Sequence, residues 1–205
     1  SGLPTERELI VQTGMGRTTV REALRILEVQ GLIRMRTGRA GGAFVRRPGE
    51  EVMVEAVNLL VRGPESRLIP LLETREAIEP YCARLAALHR DADDLATLEE
   101  LTVRVADDFL DSETFLDAHV DWHIAMARAG HNELLTGLMV GLSRAVRARA
   151  GDPGLMQASH REAAVKAHDG IMQAIRDKDG KGAFRRMERH VHAHTSAVQA
   201  AESAD

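Results

Sequence analysis

The stretch Gly14–Gly31, GMGRTTVREALRILEVQG, determines how the first part of this 205-residue chain is interpreted. Its apolar residues recur at i, i+3, i+4 and i+7, the spacing of one buried helical face: Val20, Ala23, Leu24 and Leu27. Glycine at either end is typical of the turns that precede and stop a helix. The stretch therefore predicts an amphipathic helix bounded by two turns.

A second face of this predicted helix carries Arg17, Arg21 and Arg25 at four-residue steps, with Thr18 beside the first of them. A helix with one apolar face and arginines near its N-terminus can enter the major groove of DNA and reach the base edges. A surface helix with solvated arginines explains the same pattern about equally well, so the flanking residues have to decide.

The flanking residues favour DNA binding. Upstream, Thr5 can cap a first helix, and Glu8 stands three residues later, where it completes a capping box. Downstream, two short apolar runs, residues 32–36 and 43–45, flank a glycine-rich loop that carries arginine, a pattern typical of a β-hairpin. A helix, a turn, a second helix and a hairpin together predict a winged helix-turn-helix.

Charge is unevenly distributed along the chain. Residues 1–50 contain nine arginines and no lysine against five acidic residues, whereas the remainder holds eighteen basic and twenty-six acidic residues. This asymmetry predicts two domains with different partners, of which the first faces a polyanion. A Pro-Gly pair among charged residues marks the boundary, so we expect a DNA-binding domain at 1–47, a linker at 48–52 and a second domain at 53–205.

The second domain shows apolar periodicity near 3.6 almost throughout, which predicts an all-helical antiparallel bundle of six or seven helices and no strand. The single Cys82 excludes an internal disulfide and fits a reducing compartment. No apolar run approaches the roughly 20 residues that span a bilayer, and no signal peptide opens the sequence. We therefore expect a mainly α, cytoplasmic protein without membrane association.

All nine histidines lie in the second domain, and His119 and His123 stand one helical turn apart. Two imidazoles at i and i+4 can bind one metal ion, with further ligands from facing helices. Such a pair also arises easily by chance among nine histidines, and His190 with His194 is a second example. On spacing alone, core or surface histidines are the more frequent explanation.

Residues 3–45, LPTERELIVQTGMGRTTVREALRILEVQGLIRMRTGRAGGAFV, resemble the DNA-binding domain of the GntR family of bacterial transcription regulators. The family's domain begins with another helix before this stretch, and that first helix is missing from the sequence. Gly16 stands where the family usually has serine or threonine, so a contact or cap from that hydroxyl is absent. The resemblance implies DNA contacts at Arg7, Arg17, Thr18, Arg21, Thr37 and Gly38.

Three further stretches resemble the all-helical FCD effector domain of the FadR subfamily of GntR regulators, and the likeness covers nearly all of residues 53–195. They are LLETREAIEPYCARLAAL (71–88), HVDWHIAMARAGHNELL (119–135) and AHDGIMQAIRDKDGKGAFRRMERH (167–190). In many members this domain holds a divalent metal with one aspartate and three histidines. The resemblance therefore implies a metal cofactor in this chain.

By position, the three histidine ligands are His123, His168 and His190, and His119 stands where the family has the aspartate. This change replaces one metal ligand by another, whereas Asp121, two residues along a helix, points to a different side. Four imidazoles suit late first-row metals better than Mg²⁺ or Ca²⁺. We expect zinc, with nickel or another late first-row metal as the alternative.

The resemblance also places Arg75, Asn132 and, more weakly, Arg147 near the effector pocket. An internal salt bridge to Glu79, one turn further along the helix, explains Arg75 equally well. The other five histidines are interpreted as surface or solvated residues: His89, His131, His160, His192 and His194.

Taken together, these features predict a homodimeric transcription regulator, a repressor, that binds double-stranded operator DNA and responds to a small carboxylate effector at or near the metal. A metal-dependent hydrolase is the alternative from another class, because histidine-rich sites can activate water. Against it, no HExxH-type motif supplies a general base. In a third interpretation the helical domain mainly dimerises, and its histidines are incidental.

Overall fold

The structure, a computed structural model, describes residues 2–38, 41–46, 49–61, 68–107, 111–149 and 158–203, without the side chains of 158–160 and 202. The predicted linker residue Pro48 and the side chain of His160 lie outside these ranges. The chain divides into two compact units, Ser1–Val52 and Met53–Asp205. We describe each unit by itself.

The described residues form nine helices and one two-stranded sheet. The helices are α1 Glu6–Thr13, α2 Arg17–Val29, α3 Glu50–Leu60, α4 Leu68–His89, α5 Ala92–Val105, α6 Ser112–Arg128, α7 Glu133–Arg149, α8 Ala158–Arg176 and α9 Gly180–Glu202. The strands, β1 Ile33–Arg36 and β2 Gly42–Val45, lie between α2 and α3 in the chain. This confirms the predicted winged helix-turn-helix followed by a helical domain.

The first unit begins with the two helices that the sequence predicts. The Thr5 side chain accepts a hydrogen bond from the backbone N–H of Glu8, and the Glu8 carboxylate accepts one from the backbone N–H of Thr5. These two bonds complete the capping box. Gly14 ends α1 with a φ of 67°, a left-handed conformation that glycine adopts at little cost. Gly16 precedes α2 without any side-chain cap.

The strands β1 and β2 pair antiparallel in a hairpin and complete a small core. Its buried members are Val20, Leu24, Ile33 and Ala43. The predicted buried face of α2 is too wide, because Ala23 is exposed and Leu27 is half-buried. The core forms around Val20 and Leu24, and Ala23 lies at the edge of the helical stripe where no neighbour covers it.

The second unit contains α4 to α9 and α3 from Met53 onward, and its described residues form helices and no strand, as predicted. Helix α4 is central: it packs against α6, α7, α8 and most extensively α9. Helix α5 packs on α6 and α8. Helix α3 begins at Glu50, so helical chain occupies the end of the predicted linker. None of the helices in the described ranges is long and apolar enough to cross a membrane.

Two apolar clusters stabilise the second unit. The larger cluster includes Phe115, Trp122 and the buried apolar residues of α4 from Cys82 onward. The smaller cluster includes the buried apolar residues of α4 up to Leu72. The part of α4 between the two clusters carries the buried Arg75 and Glu79. This arrangement creates a polar layer inside the helical domain, and the histidines predicted as ligands lie in it.

A separate ion pair joins the start of α5 to the turn before α7. Asp91 caps α5 and forms a capping box with Asp94. His131 adopts a left-handed backbone, with a φ of 54°, and its Nε2 lies 2.6 Å from Asp94 Oδ2. This hydrogen bond and the charge of Asp94 raise the pKa of His131 above its ordinary value.

Replacing His131 by asparagine should lower the melting temperature more at about pH 5.5 than at about pH 9, because the ion pair requires a protonated imidazole. Since the folded-state pKa is raised, the stabilisation is complete below the unfolded-state value of about 6.5 and is lost as the pH rises through the folded-state value. Asparagine tolerates the left-handed backbone. Calorimetry of both proteins at the two pH values measures the difference.

The control is the same exchange in an Asp94→Asn background. There the effect of His131→Asn should depend less on pH, because the chief carboxylate partner is gone and only the weaker charge interaction with Asp91 is left. A difference of equal size at both pH values in the original background would contradict the assigned ion pair.

Candidate metal centre and nucleic-acid surface

Four imidazoles from three helices converge in the polar layer of the second unit. Helix α6 presents His119 and His123 from successive turns, α8 presents His168, and α9 presents His190. One nitrogen from each ring lies within 4.8 Å of the corresponding nitrogen of every other ring. We call these four residues the histidine cluster. The structure thus brings together all four ligands that the resemblance implies.

The histidine cluster is shielded from water. His123 and His168 are almost completely buried, and His119 is buried as well. Burial lowers the pKa of each of the four imidazoles, and that of His190 falls to about 3. The rings are therefore uncharged at neutral pH, which is the form that can donate a nitrogen lone pair to a metal.

Several nitrogens of the histidine cluster lack the partners that buried polar atoms normally have. Neither His168 Nδ1 nor His168 Nε2 has a hydrogen-bond partner among the described residues. His190 Nε2 lies 3.4 Å from His123 Nε2, so two ring nitrogens face each other. Since buried polar groups are rarely left unpaired, this donor set fits a cation among the four rings.

A buried ion pair lies behind the cluster. Arg75 Nε donates a hydrogen bond to Glu79 Oε1, and Glu79 Oε2 lies 2.7 Å from His123 Nδ1. This second separation is that of a hydrogen bond, although the contact is bent rather than linear. Burial alone would raise the pKa of Glu79, but Arg75 and His123 outweigh it and hold the pKa below its ordinary value. Glu79 is therefore a buried carboxylate in its charged form.

Trp122 contacts a second imidazole of the histidine cluster. Its ring stacks on His168 with the centroids 4.0 Å apart and an interplanar angle of 7°. The indole Nε1 donates to Thr102 Oγ1 at 2.9 Å, which holds Trp122 from the α5 side. Trp122 and Glu79 were not predicted as site residues, because their contacts join helices that are distant in sequence.

The residues predicted to bind the effector lie in different environments. Arg75 is adjacent to the histidine cluster and makes the predicted salt bridge to Glu79. Asn132 Oδ1 accepts hydrogen bonds from two backbone N–H groups in the first turn of α7, each 3.2 Å away. Arg147 donates to Asp117 at 2.7 Å and lines a surface groove of about 850 Å³ between α5, α6 and α7. Effector contacts of these three residues stay predictions.

Asp121 lies outside the histidine cluster, as its position in the helix predicts. Its side chain is exposed and lies 3.5 Å from Arg104. The carboxylate that could replace the family's aspartate is therefore turned away from the four imidazoles.

The predicted DNA contacts in the first unit are exposed: Arg7, Arg17, Thr18, Arg21, Thr37 and Gly38. Arg17 and Arg21 share one partner, since the Nε of each lies 3.0 Å from a different oxygen of Glu6. These contacts, chiefly the hydrogen bond from Arg21, lower the pKa of Glu6. Glu6 thus orders both arginines on α2, a contact across the turn that the helical spacing of α2 does not predict.

Comparison with known proteins identifies the two units. Residues 1–45 match the family of bacterial regulatory proteins named gntR, and residues 70–193 match the FCD domain. The chain belongs to the GntR family. Its helix-turn-helix and its histidine cluster lie within the two matched regions.

Relatives of this GntR protein are named as regulators. The Uxu operon regulator of Haemophilus influenzae is 29% identical over 92% of this chain and 70% of that protein. The galactonate operon transcriptional repressor of Escherichia coli K12 is 29% identical over 89% of this chain and 81% of that protein. The solved structure of Streptococcus agalactiae GntR, 25% identical, superposes with a TM-score of 0.70 over 96% of this chain and 89% of that one.

The protein is therefore a DNA-binding transcription regulator and not an enzyme. The hydrolase alternative has no support among these relatives.

The Arg21→Ala exchange should weaken binding to a specific DNA duplex by about 1–3 kcal/mol, because it removes a contact to a base edge. Arg25→Ala is the matched control and should cost less, since Arg25 lies one turn further from the N-terminus of α2, and helices of this type read bases with their N-terminal residues. The duplex is selected by the unaltered protein from a random-sequence library, and anisotropy measures affinity. Equal losses in both variants would show that the assignment of Arg21 is wrong.

Proposed function

We propose that this GntR regulator is a cytoplasmic, homodimeric repressor of the FadR subfamily, controlled by a metal ion and a small carboxylate effector in its FCD domain. The observation that carries the proposal is the histidine cluster: three buried imidazoles and the half-buried His190 converge, and both nitrogens of His168 lack a partner among the described residues. His119, His123, His168 and His190 would hold the ion.

The DNA-binding part of the proposal assigns operator contacts to the exposed residues of α1, α2 and the wing: Arg7, Arg17, Thr18, Arg21, Thr37 and Gly38. The excess of arginine over acidic residues in the first fifty positions supports this assignment, because a positive surface attracts the phosphate backbone. Two such domains in a homodimer would bind two half-sites of an operator. The repressor role is supported by the name of the galactonate relative.

The ligand chemistry favours zinc, with nickel or another late first-row metal as the alternative. Imidazole nitrogen suits these ions, whereas Mg²⁺ and Ca²⁺ prefer oxygen ligands. The 3.4 Å between His123 Nε2 and His190 Nε2 is close to the edge of about 3.3 Å in a tetrahedron with metal–nitrogen bonds of about 2.0–2.1 Å. This one separation suits such an ion, and one nitrogen of each ring lies within 4.8 Å of those of the other rings.

The effector is proposed to be an anion because the four ligands are neutral. A divalent ion among four imidazoles keeps its full formal charge, and such a centre attracts a carboxylate oxygen. Galactonate, the sugar acid in the name of one relative, carries this group. Arg75, Asn132 and Arg147 are the residues proposed to contact the rest of the effector.

Regulation then requires a difference in effector affinity between two states of the dimer. An effector that binds more tightly to the arrangement with low DNA affinity shifts the population towards that arrangement. The effector thereby lowers operator occupancy.

If His119 is a ligand, His119→Ala should weaken zinc binding by more than the roughly 10–100-fold loss typical of residues outside the ligand shell. His119→Asp should keep the metal but weaken carboxylate binding, because a charged ligand lowers the formal charge of the centre. Chelator competition measures zinc affinity, and mass spectrometry of the native protein gives stoichiometry. Trp122, the single tryptophan, stacks on His168 and should be quenched when Ni²⁺ or Cu²⁺ is used instead.

The control for this series is His192→Ala, because His192 is exposed on α9 and lies outside the histidine cluster. It should bind zinc as the unaltered protein does. Equal metal content and equal carboxylate affinity in the His119→Ala, His119→Asp and unaltered proteins would exclude His119 as a ligand.

Galactonate, citrate and lactate are the probes for the effector class. A ligand at 100 times its Kd stabilises the folded state by about 2.7 kcal/mol, so a carboxylate that binds should raise the melting temperature of the zinc-loaded protein by several degrees. Galactose and glycerol, which lack the carboxylate, should not. The shift should disappear after chelation and should be accompanied by release of the selected DNA duplex.

Two results would contradict the proposed effector class. One is an equal shift with the uncharged compounds, and the other is the absence of a shift with all three carboxylates on zinc-loaded protein. A protein that binds no metal would instead favour a helical domain that mainly dimerises.

A further inference from the structure

We infer that Glu79 is a positioning residue for the metal centre: it fixes His123 through Nδ1 and supplies, from outside the ligand shell, a negative charge that four imidazole ligands lack. The inference rests on the proposed metal site and goes beyond it, because Glu79 is not one of the four ligands. It assigns a second role to the partner of Arg75.

The contact between Glu79 and His123 selects which nitrogen of the ring faces the cluster. Glu79 Oε2 lies 2.7 Å from His123 Nδ1, so the carboxylate favours the tautomer in which this nitrogen carries the proton, although the two atoms do not form a hydrogen bond of normal geometry. The other nitrogen, Nε2, then keeps its lone pair, and it is the atom that faces His190. A carboxylate behind a ligating imidazole fixes its tautomer and orientation and raises its basicity.

Glu79 also places a negative charge beside the histidine cluster. Among the residues that the structure describes, Glu79 is the one buried acidic side chain. His119 stands at the position that holds an aspartate in the resembling family, so no described ligand is negative. Glu79 therefore supplies part of the missing negative charge without being a ligand itself, because it contacts the imidazole of His123.

Arg75 opposes this effect, since its guanidinium donates to the other oxygen of Glu79. Arg75 keeps Glu79 charged, but it also draws electron density away from the oxygens that His123 uses and adds a positive charge near the ion. Removal of Arg75 therefore takes away a positive charge near the ion but also the group that keeps Glu79 charged, so this removal alone does not measure the influence of Glu79. Removal of Glu79 should leave Arg75 as an uncompensated positive charge near the ion.

The double variant separates positioning from a purely structural role. If the Arg75–Glu79 pair only stabilises the fold, removal of either partner leaves a buried unpaired charge and should damage stability and metal binding alike. If Glu79 positions His123, loss of Glu79 lowers metal affinity even in a protein from which Arg75 has already been removed. Stability of the metal-free protein and metal affinity therefore have to be measured on the same variants.

The experiment uses the full chain and zinc alone, with Glu79→Gln, Arg75→Met, the double variant, and Glu76→Gln as control. Glu76 is the neighbouring carboxylate on α4, and its Oε1 lies 3.5 Å from Nδ1 of the exposed His192. Zinc affinity by chelator competition should fall about 10–100-fold in Glu79→Gln. It should be unchanged in Glu76→Gln, and Arg75→Met serves as the reference for the double variant.

The double variant keeps the test valid if Glu79→Gln does not fold, because it buries no unpaired charge. Its zinc affinity should be about 10–100-fold below that of Arg75→Met. Melting of the metal-free proteins shows whether a loss of affinity merely follows a loss of stability.

Three outcomes would overturn the inference. If the unaltered protein binds no zinc, the proposed metal site fails and the inference fails with it. If the unaltered protein binds zinc and Glu79→Gln and the double variant bind it equally well, only the inference fails. If Glu76→Gln weakens zinc binding as much as Glu79→Gln does, the loss is not specific to Glu79 and the positioning role is excluded.

Discussion

The burial of ionisable side chains inside a helical bundle is the constraint on which the second unit depends. A charge moved from water into an apolar interior costs several kcal/mol or more unless it is paired. Arg75 and Glu79 meet this cost by pairing with each other, and the imidazoles meet it by giving up their protons. The two apolar clusters on either side of the layer provide the hydrophobic stabilisation that the polar layer does not.

The same constraint links the site to the packing of the helices. Glu79 on α4 contacts His123 on α6, and Trp122 on α6 stacks on His168 on α8. His123 and His168 are thus each contacted by a side chain from a different helix. A change in how α4, α6 and α8 pack would move these two rings relative to each other.

In the first unit the ion pairs discussed above are exposed rather than buried. Glu6, Arg17 and Arg21 form exposed ion pairs, which contribute little to stability in water. Such pairs hold the guanidinium groups in place and are easily exchanged for phosphate oxygens or base edges. The first unit matches the gntR family of regulatory proteins, and the chain is similar to a protein named as an operon regulator. An ordered but exposed pair of arginines fits a surface that binds DNA.

The sequence by itself determined the features that depend on neighbours within four residues. Capping by Thr5 and Glu8, the turn at Gly14 and the helices of the second unit follow from backbone geometry and helical spacing, whereas i, i+4 spacing left the pairing of Arg75 with Glu79 as one of two equal explanations. The convergence of the histidine cluster was predicted only through the family resemblance, because spacing within α6 accounts for two ligands and leaves the other two unplaced.

Tertiary structure decided the contacts between distant segments. The approach of Glu79 to His123, the stacking of Trp122 on His168 and the shared bond of Glu6 to Arg17 and Arg21 each join different helices. Exposure of Ala23 was decided in the same way, since periodicity identifies a helical face but not how much of it a neighbour covers. The physical reason is that packing, unlike helical geometry, is set by the shapes of all the surfaces that meet.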